Sequence, residues 1–201
     1  MSTFSIRDVR DATDIEAIVT LYARYVRGSL ATWAYAEELP IVSDYLSRWQ
    51  SAKIRALPWL VATADSDSDG TVAGTVIGFC YVGDFRGRLG WRFTCEHSVY
   101  VLPTWTRKGV GRSLVSRVLD DCRLSRVSTL VAVISTHVNG FGSASVALHE
   151  GLGFKHAGFM KNVGVKGGLI LDCVMLSLEL NPIPADALLD KRGDLDMNAL
   201  L

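Results

Sequence analysis

The chain has 201 residues, 49% of them hydrophobic, which is enough apolar material to build the core of one globular domain. Lysine plus arginine and aspartate plus glutamate number 21 each, and this balance argues against the basic surface of a nucleic-acid-binding protein. No run of about eighteen apolar residues is present and the N-terminus does not resemble a signal peptide, so we expect no membrane partner.

The chain is predicted to begin with a strand and a helix. Residues 4–7 have a short strand pattern. Thr13-x-x-Glu16 is a capping box for a helix with one apolar face that ends near Gly28. Residues 29–42 lack periodicity and predict a substantial loop or a broken helix.

A second helix and three strands follow. Ser43 is expected to cap a helix that runs through Ala52. The acidic segment Asp65–Gly70 lacks the spacing and terminal glutamate of a calcium loop, and it predicts a hairpin turn. The predicted strands are 58–63, 72–82 and 93–101, and the last two are joined by the Arg/Gly-rich link 83–92.

The second half of the chain alternates helices with strands. The predicted elements are a helix ending at Leu124, a strand over 129–135, a helix over 143–151, strands over 154–163 and 169–180, and a peripheral tail over 181–201. This order of elements is typical of a mixed α/β domain with one central sheet, here spanning residues 1–180.

The most informative segment is Val99–Arg112, where a strand stops at Pro103 and a loop with Gly109 and Gly111 opens a helix. A helix N-terminus presents unpaired backbone N–H groups and the positive end of the helix dipole. Glycine lets a ligand approach that backbone closely. Basic side chains surround the turn, namely Arg107, Lys108 and Arg112. The segment therefore predicts a seat for the pyrophosphate of a nucleotide-bearing cofactor.

Two better-known phosphate motifs do not fit this loop. The P-loop pattern G-x-x-x-x-G-K-S/T is absent. The dinucleotide pattern G-x-G-x-x-G requires a glycine where the chain has Leu114, and it normally lies in the first strand–helix unit rather than after the fourth strand.

The loop Thr106-Arg-Lys-Gly-Val-Gly111 resembles the acetyl-CoA loop of the GNAT superfamily of N-acetyltransferases, with Thr106 where glutamine or arginine is usual. Further segments are similar to the phosphinothricin/methionine sulfone N-acetyltransferase branch of that superfamily. They are Pro58–Ala62, Gly83–Val101, Ser145–Phe154 and Lys166–Asp172. The chain is thus identified as a member of this branch.

The resemblance implies a GNAT-type fold, in which a mostly antiparallel sheet of about seven strands is flanked by about four helices. It also implies acetyl-CoA as co-substrate, held by the end of the fourth strand and by the glycine loop. The residues expected to contact it are Val99, Tyr100, Val101, Arg107, Lys108, Gly109, Val110, Gly111 and Arg112. Asn139 is a further expected contact, beside a small insertion at 140–143.

Glu96 is the candidate general base, directly or through a water molecule. An amine must lose its proton before it attacks a thioester. Glu96 is ionisable within a weakly polar strand, where burial raises the pKa of a carboxyl group. Strand alternation places it on one face with Thr94, Ser98 and Tyr100, and places His97 on the other face, so we expect His97 to be structural.

His149 is the second catalytic candidate. It occupies the place where many relatives have a tyrosine near the coenzyme sulfur and where the resembling branch carries histidine. It is expected to protonate or hydrogen-bond the departing thiolate, the alternative being a histidine packed on a helix face. Cys95 is not expected to act as a covalent nucleophile, because direct transfer needs no acyl-enzyme.

Arg86 and Arg88 are the predicted substrate anchors, in the link where the resembling enzymes bind an amino-acid-like substrate. The arginine fork suits a carboxylate or phosphinate, although such residues are also ordinary solvated loop charges. Trp33, Tyr35 and Trp91 are expected to form walls of the pocket or to belong to the core.

These features predict an acetyl-CoA-dependent N-acetyltransferase for a small acidic amino-acid analogue such as phosphinothricin, methionine sulfone or methionine sulfoximine. Two alternatives remain open: acetylation of another small amine or a protein N-terminus, and a catalytically silent acetyl-CoA sensor. The scattered cysteines and histidines lack metal or disulfide spacing, which indicates a cytoplasmic protein without a metal. The resemblance makes a homodimer an expectation.

Overall fold

The computed structural model describes residues 3–67 and 70–188. Seven strands form one sheet in the order β1-β2-β3-β4-β5-β7-β6. The elements are β1 (Phe4–Asp8), α1 (Ala12–Gly28), α2 (Val42–Ile54), β2 (Trp59–Ala64), β3 (Val76–Asp84), β4 (Thr94–Val101), α3 (Val110–Arg123), β5 (Thr129–Thr136), α4 (Ser143–Glu150), β6 (Lys155–Lys166), β7 (Leu169–Glu179) and α5 (Ala185–Leu188). The predicted class, a mixed α/β fold on a mostly antiparallel sheet, is confirmed.

Both predicted helix N-caps were wrong by two residues. Asp11 caps α1, and its carboxylate accepts from the backbone N–H of Thr13 at 2.9 Å. Thr13 therefore already lies inside the helix, because the aspartate two residues earlier offers the acceptor. Helix α2 begins at Val42 after Ile41, which makes no side-chain capping bond, so Ser43 also lies inside its helix.

Two strands differ in length from the prediction. β3 begins at Val76 because Gly74, at φ 82°, turns the chain just before it. Residues 68 and 69 of the predicted hairpin turn lie outside the described residues. β6 continues to Lys166 through an irregular stretch in which Asn162 has φ 57°. The residues between 29 and 41 form a loop with one 3₁₀ turn, as the missing periodicity predicts.

Residues 181–188, the start of the predicted tail, are attached to the domain. The side-chain amide of Asn181 donates to the backbone oxygens of Cys122 and Val127 at 3.1 and 2.7 Å. Asp186 of α5 pairs with Arg126 at 2.7 Å. The tail beyond residue 188 lies outside the described residues. Within the described ranges, no helix is long and apolar enough to cross a membrane.

The two faces of the sheet are covered by different helices. On the α1/α2 face, the Tyr100 ring lies 5.0 Å from the Tyr22 ring and 4.9 Å from the Tyr25 ring. On the α3/α4 face, a Cβ at Gly78 would lie 3.2 Å from Val110. The first face is thus packed with aromatic rings, whereas α3 lies close against the sheet where glycine leaves room.

The centre of the sheet contains its one parallel pair among the described strands. β4 and β5 are paired over three residues each, Thr94–Glu96 with Thr129–Val131. Beyond that point β4 remains paired with β3 as far as Val101, and β5 with β7 as far as Thr136. The two strands therefore diverge and leave a gap in the sheet.

The loop at 29–35 crosses the open end of this gap. The backbone oxygen of Leu30 accepts from Ser135 Oγ of β5 at 2.5 Å. The backbone oxygen of Thr32 accepts from the buried Lys166 Nζ at 2.8 Å. The loop after α1 is thus fixed to the β5–β7 half of the sheet.

One ion pair fixes the start of α1 to β1. The buried carboxylate of Asp14 accepts from both terminal nitrogens of Arg7, at 2.6 and 2.7 Å, and from the N–H of Arg10 at 2.8 Å. The hydrogen bonds from Arg7 hold the pKa of Asp14 below its ordinary value.

Asp14→Asn should lower the free energy of unfolding near neutral pH by about 1.5–3 kcal/mol, because a charged acceptor is lost. The pKa of Asp14 is depressed in the folded state, so its contribution is present above the unfolded value of about 3.9 and disappears as pH falls through the folded value. Urea unfolding should show the gap between wild type and variant shrinking in acid. Asp120→Asn, at an exposed pair with Arg123, is the control and should cost less than about 1 kcal/mol. Equal losses would contradict the expectation.

Candidate active site

A cavity of about 650 Å³ lies in the gap between β4 and β5. Residues 97–101 of β4 form one wall, and residues 132–135 of β5 form the other. The glycine loop before α3 lies at one end, and residues of α4 and of the turn before it close the α3/α4 side. The cavity is thus formed where the sheet has no strand-to-strand hydrogen bonds.

The edge of β4 that faces the cavity offers free backbone groups. Leu102 N–H donates to Ile77 O of β3 at 2.7 Å. Because backbone groups alternate between the two edges of a strand, those of Val99 and Val101 point into the gap. The Val101 oxygen already accepts from the Tyr25 hydroxyl at 2.5 Å. Of the three predicted β4 contacts, Val99 and Val101 therefore present backbone to the cavity.

The glycine loop has the geometry of an anion seat. Gly109 is the N-cap of α3 at φ 89°, and no atom lies within 4 Å of the position of its missing Cβ. The first backbone bond of the helix runs from Ser113 N–H to Gly109 O at 3.0 Å, so the N–H groups of residues 110–112 have no acceptor within the helix. These groups fit the pyrophosphate of coenzyme A.

The structure separates the predicted polar contacts of the coenzyme into two groups. Arg107 and Arg112 line the cavity, and Arg112 also donates to Gly151 O at 3.2 Å. Lys108 lies outside the lining, with its Nζ 4.9 Å from the Trp105 ring centre. Asn139 also lies outside, where its Oδ1 accepts from Phe141 N–H at 3.0 Å.

Phe141 lines the cavity, although sequence reasoning treated residues 140–143 only as an insertion. The signal was the residue type, since a large apolar side chain in a glycine-rich turn usually packs against something.

Glu96 lies on the α1/α2 face, immediately before the strands diverge. It is half-buried, and burial raises the pKa of its carboxyl group while the positive charge of Arg48 opposes that rise. Glu96 is not itself in the lining of the cavity, but Ser98, two residues further along the same face, is. A ligand group that passes through the gap from the side of the glycine loop therefore reaches the α1/α2 face beside Glu96.

Arg48 is the nearby charge that sequence reasoning missed. Its guanidinium carbon lies 4.9 Å from the Tyr45 ring centre and 4.8 Å from that of Tyr81. No motif marks this position in α2, because the contacts come from packing of the helix on β3.

His149 lines the cavity on the α3/α4 face and is 2% exposed. Its Nδ1 lies 2.6 Å from the backbone oxygen of Ser145. A carbonyl oxygen only accepts, so Nδ1 carries the proton and Nε2 of the neutral ring carries a lone pair. Burial lowers the pKa of His149, although the bond to Ser145 opposes this, and the ring is neutral at pH 7.

His97 also lines the cavity, and its ring centre lies 5.0 Å from that of His149. Its Nδ1 is 3.8 Å from Cys80 Sγ. Burial, with a smaller contribution from His149, lowers the pKa of His97 to about 3. His97 lies on the face opposite Glu96, as strand alternation predicts. We expected a structural role for that reason, but this face also borders the cavity.

Residues 23–154 match the model of the Acetyltransferase (GNAT) family. The chain belongs to the GNAT acetyltransferase family.

Relatives of this GNAT chain share most of its length. The phosphinothricin N-acetyltransferase of Alcaligenes faecalis is 36% identical over 88% of the chain and 83% of the relative. The L-methionine sulfoximine/L-methionine sulfone acetyltransferase of Salmonella typhimurium is 34% identical over 85% of the chain and 92% of the relative. A phosphinothricin acetyltransferase from Sinorhizobium meliloti, solved with acetyl-CoA, is 32% identical and superposes with a TM-score of 0.75 over 89% of each chain.

The predicted substrate residues of the GNAT chain lie away from the cavity lining. Arg86 is in the link before β4, with its guanidinium carbon 5.1 Å from the Phe85 ring centre and 6.0 Å from that of Trp91. Arg88 is exposed in the same link. Trp33, 36% exposed, lies instead against β6, where a side chain at Gly164 would collide with it. The link and the glycine loop are at opposite ends of β4, with Glu96 between them.

Gly142→Ala tests the shape of the cavity, which Gly142 lines. A Cβ there would collide with Ser135 O and lie 2.8 Å from Thr136 Cγ2, and φ is 85°. The variant should lose about 1–2 kcal/mol for the left-handed backbone and about 1–3 kcal/mol more for overpacking, visible in thermal unfolding and as weaker acetyl-CoA binding in calorimetry. Gly140→Ala is the matched control, with φ 91° and no neighbour within 4 Å. Equal behaviour of the two variants would refute the collision.

Proposed function

We propose that this enzyme transfers an acetyl group from acetyl-CoA to the free amine of a small acidic amino-acid analogue of the phosphinothricin, methionine sulfone or methionine sulfoximine type. One observation carries the proposal: a single cavity extends from the free N–H groups of the glycine loop to the part of β4 that follows Glu96. The names of the relatives support the substrate class.

The coenzyme would be held by backbone more than by side chains. The N–H groups of residues 110–112, with Arg107 and Arg112, would hold the pyrophosphate. The edge of β4 at Val99 and Val101 would bind the amides of the pantetheine arm, although Val101 O already accepts from the Tyr25 hydroxyl. Bound in this way, acetyl-CoA supplies an acetyl thioester at the narrow part of the gap.

Glu96 would act as general base from the α1/α2 face. Its carboxylate takes one proton from the ammonium group, directly or through water. The freed nitrogen pair forms the amide C–N bond as the thioester C–S bond breaks, and the nitrogen then releases its second proton to solvent. Sulfur leaves with the bonding electron pair and takes a proton from solvent. A raised pKa makes the carboxylate a better base.

His149 would contact the sulfur end of the coenzyme from the opposite face. Its proton on Nδ1 is held by Ser145, so it donates from Nε2 only in its cationic form. Burial disfavours that form, and this limits its role as a general acid at neutral pH.

The acidic end of the substrate would bind to Arg86 and Arg88, with Trp91 as a wall, whereas Trp33 lies against β6 near the other end of β4. The ring contacts of Arg86 hold its guanidinium beside Trp91, which supports a recognition role over a purely solvated one. We place the enzyme in the cytoplasm, because its four cysteines are free and buried, and we expect a homodimer by analogy with the resembling branch.

Release of free CoA across a panel of amines separates this proposal from its alternatives. Turnover should be fastest with amino-acid analogues that carry a sulfone, sulfoximine or phosphinate. Turnover only with a peptide N-terminus or another amine would assign a different substrate, and tight acetyl-CoA binding without any turnover would identify a sensor.

Glu96→Gln should lower kcat/KM for the amine by about 100-fold or more at neutral pH, since the base is removed. Burial raises the pKa of Glu96 in the folded enzyme, so wild-type kcat/KM should fall as pH drops through that raised value, and the variant should lack this limb. Steady-state rates from about pH 5 to 9 measure both effects. Glu16→Gln, on the exposed side of α1, is the control. Near-normal turnover of Glu96→Gln would remove Glu96 from the reaction.

Arg86→Gln and Arg88→Gln should each raise KM for the amine by about tenfold or more, because a charged hydrogen bond to the substrate is lost. KM for acetyl-CoA should stay the same, since both residues lie outside the cavity lining. Arg24→Gln, exposed on α1, provides the comparison. If the KM values for the amine do not change, these arginines are ordinary surface charges.

A further inference from the structure

One buried polar side chain at the cavity has no role in the proposed reaction. His97 is 4% exposed, and its ring packs 5.5 Å from that of Phe154 as well as beside His149. Within the described ranges, the Nε2 atoms of His97 and His149 are buried and have no hydrogen-bond partner. A buried nitrogen without a hydrogen-bond partner costs free energy. Two apolar side chains at these positions would avoid that cost, so a purely structural role does not explain the two histidines.

The group next to Nδ1 of each ring determines which ring nitrogen carries the proton. His149 carries its proton on Nδ1, facing Ser145 O, so its Nε2 is an acceptor. His97 Nδ1 faces the thiol of Cys80, and burial raises the pKa of that thiol, so the sulfur keeps its proton and can donate it.

The proton on the Cys80 thiol determines which nitrogen of His97 is protonated. If Cys80 donates to Nδ1 of His97, the proton of that ring is on Nε2, and the His97–His149 pair presents one donor and one acceptor. Among these two rings, only His97 then offers an N–H at Nε2 while both remain neutral.

We propose that His97 donates its Nε2–H to the thioester end of acetyl-CoA, so that it is a further catalytic residue, while the unprotonated Nε2 of His149 offers no donor there. This inference rests on the proposed function. His97 lines the same cavity wall as Val99 and Val101, from the face opposite Glu96, so its ring borders the part of the gap where the acetyl group would lie.

His97 would act as a hydrogen-bond donor and not as a proton donor. Negative charge develops on the carbonyl oxygen and then on sulfur as the C–N bond forms and the C–S bond breaks. A neutral imidazole N–H stabilises that charge and keeps its own proton, which suits a ring whose pKa is far below neutrality. The amine proton still goes to Glu96, and sulfur still takes its proton from solvent.

The test compares His97→Gln with His97→Leu in the full-length enzyme. Glutamine retains a side-chain N–H, whereas leucine fills a similar volume without a donor. The leucine variant should lose about 100-fold in kcat, the usual effect of removing one such donor, and the glutamine variant should stay within about tenfold of wild type. Free CoA should bind both variants with similar affinity. Packing alone predicts the reverse order, because leucine suits a buried apolar site better, and leucine equal to or better than glutamine would overturn the proposal.

Nitrogen-15 NMR of the histidine rings gives a second readout on the wild-type enzyme, which avoids any folding defect of the variants. His149 should be protonated on Nδ1 and His97 on Nε2, and acetyl-CoA without amine should shift the His97 Nε2 signal. A His97 proton on Nδ1, or no shift with saturating acetyl-CoA, would reject the assignment. If wild type binds acetyl-CoA but acetylates no amine, the proposed function fails. The NMR result then still decides whether His97 donates its Nε2–H to the thioester.

Discussion

The early end of the β4–β5 ladder is the constraint on which the site depends. Three residue pairs hold the two strands together, after which each keeps a partner on its other side, β3 for β4 and β7 for β5. Neither strand loses its hydrogen bonding as a whole, so the sheet divides locally without becoming unstable. The closed end is fixed by Ser128, whose N–H donates to Phe93 O at 2.8 Å and whose Oγ donates to Asn181 O at 2.7 Å. An extended ligand can enter this gap from its open end, and the closed end limits how far it can enter.

The open end of that gap is bridged by the loop after α1. Ser135 and Lys166 bind the loop backbone, and the Tyr35 hydroxyl donates to Val165 O. These bonds come from β5 and from the end of β6. The loop therefore connects the half of the sheet that carries α1 to the half that carries the β6–β7 hairpin. The separation of the strands is therefore supported at both ends, which favours a preformed cavity.

The sequence predicts those parts of the site whose signals are local. A glycine pair at a helix start, a carboxylate in an apolar strand and strand alternation are each contained in a few residues, and Gly109 and Glu96 lie where these patterns predict. Arg48, Phe141 and the Leu30–Ser135 contact depend on packing between distant segments, which no local pattern encodes. The N-cap of α1 was predicted wrongly for a different reason, because Asp11, two residues before Thr13, is the better acceptor.

The carboxylate and the imidazole of the site belong to consecutive residues of β4, Glu96 and His97. On one surface, a carboxylate and an imidazole so close together would form an ion pair, which would protonate the histidine and weaken the base. Alternation along β4 instead places Glu96 among half-exposed groups near Arg48 and places His97 in an apolar layer with Phe154. One environment raises the pKa of a carboxyl group and makes it more basic, and the other lowers the pKa of an imidazole and keeps it neutral. In the proposed reaction, a thioester in the gap beside β4 would meet both, and the strand would separate proton removal from charge stabilisation.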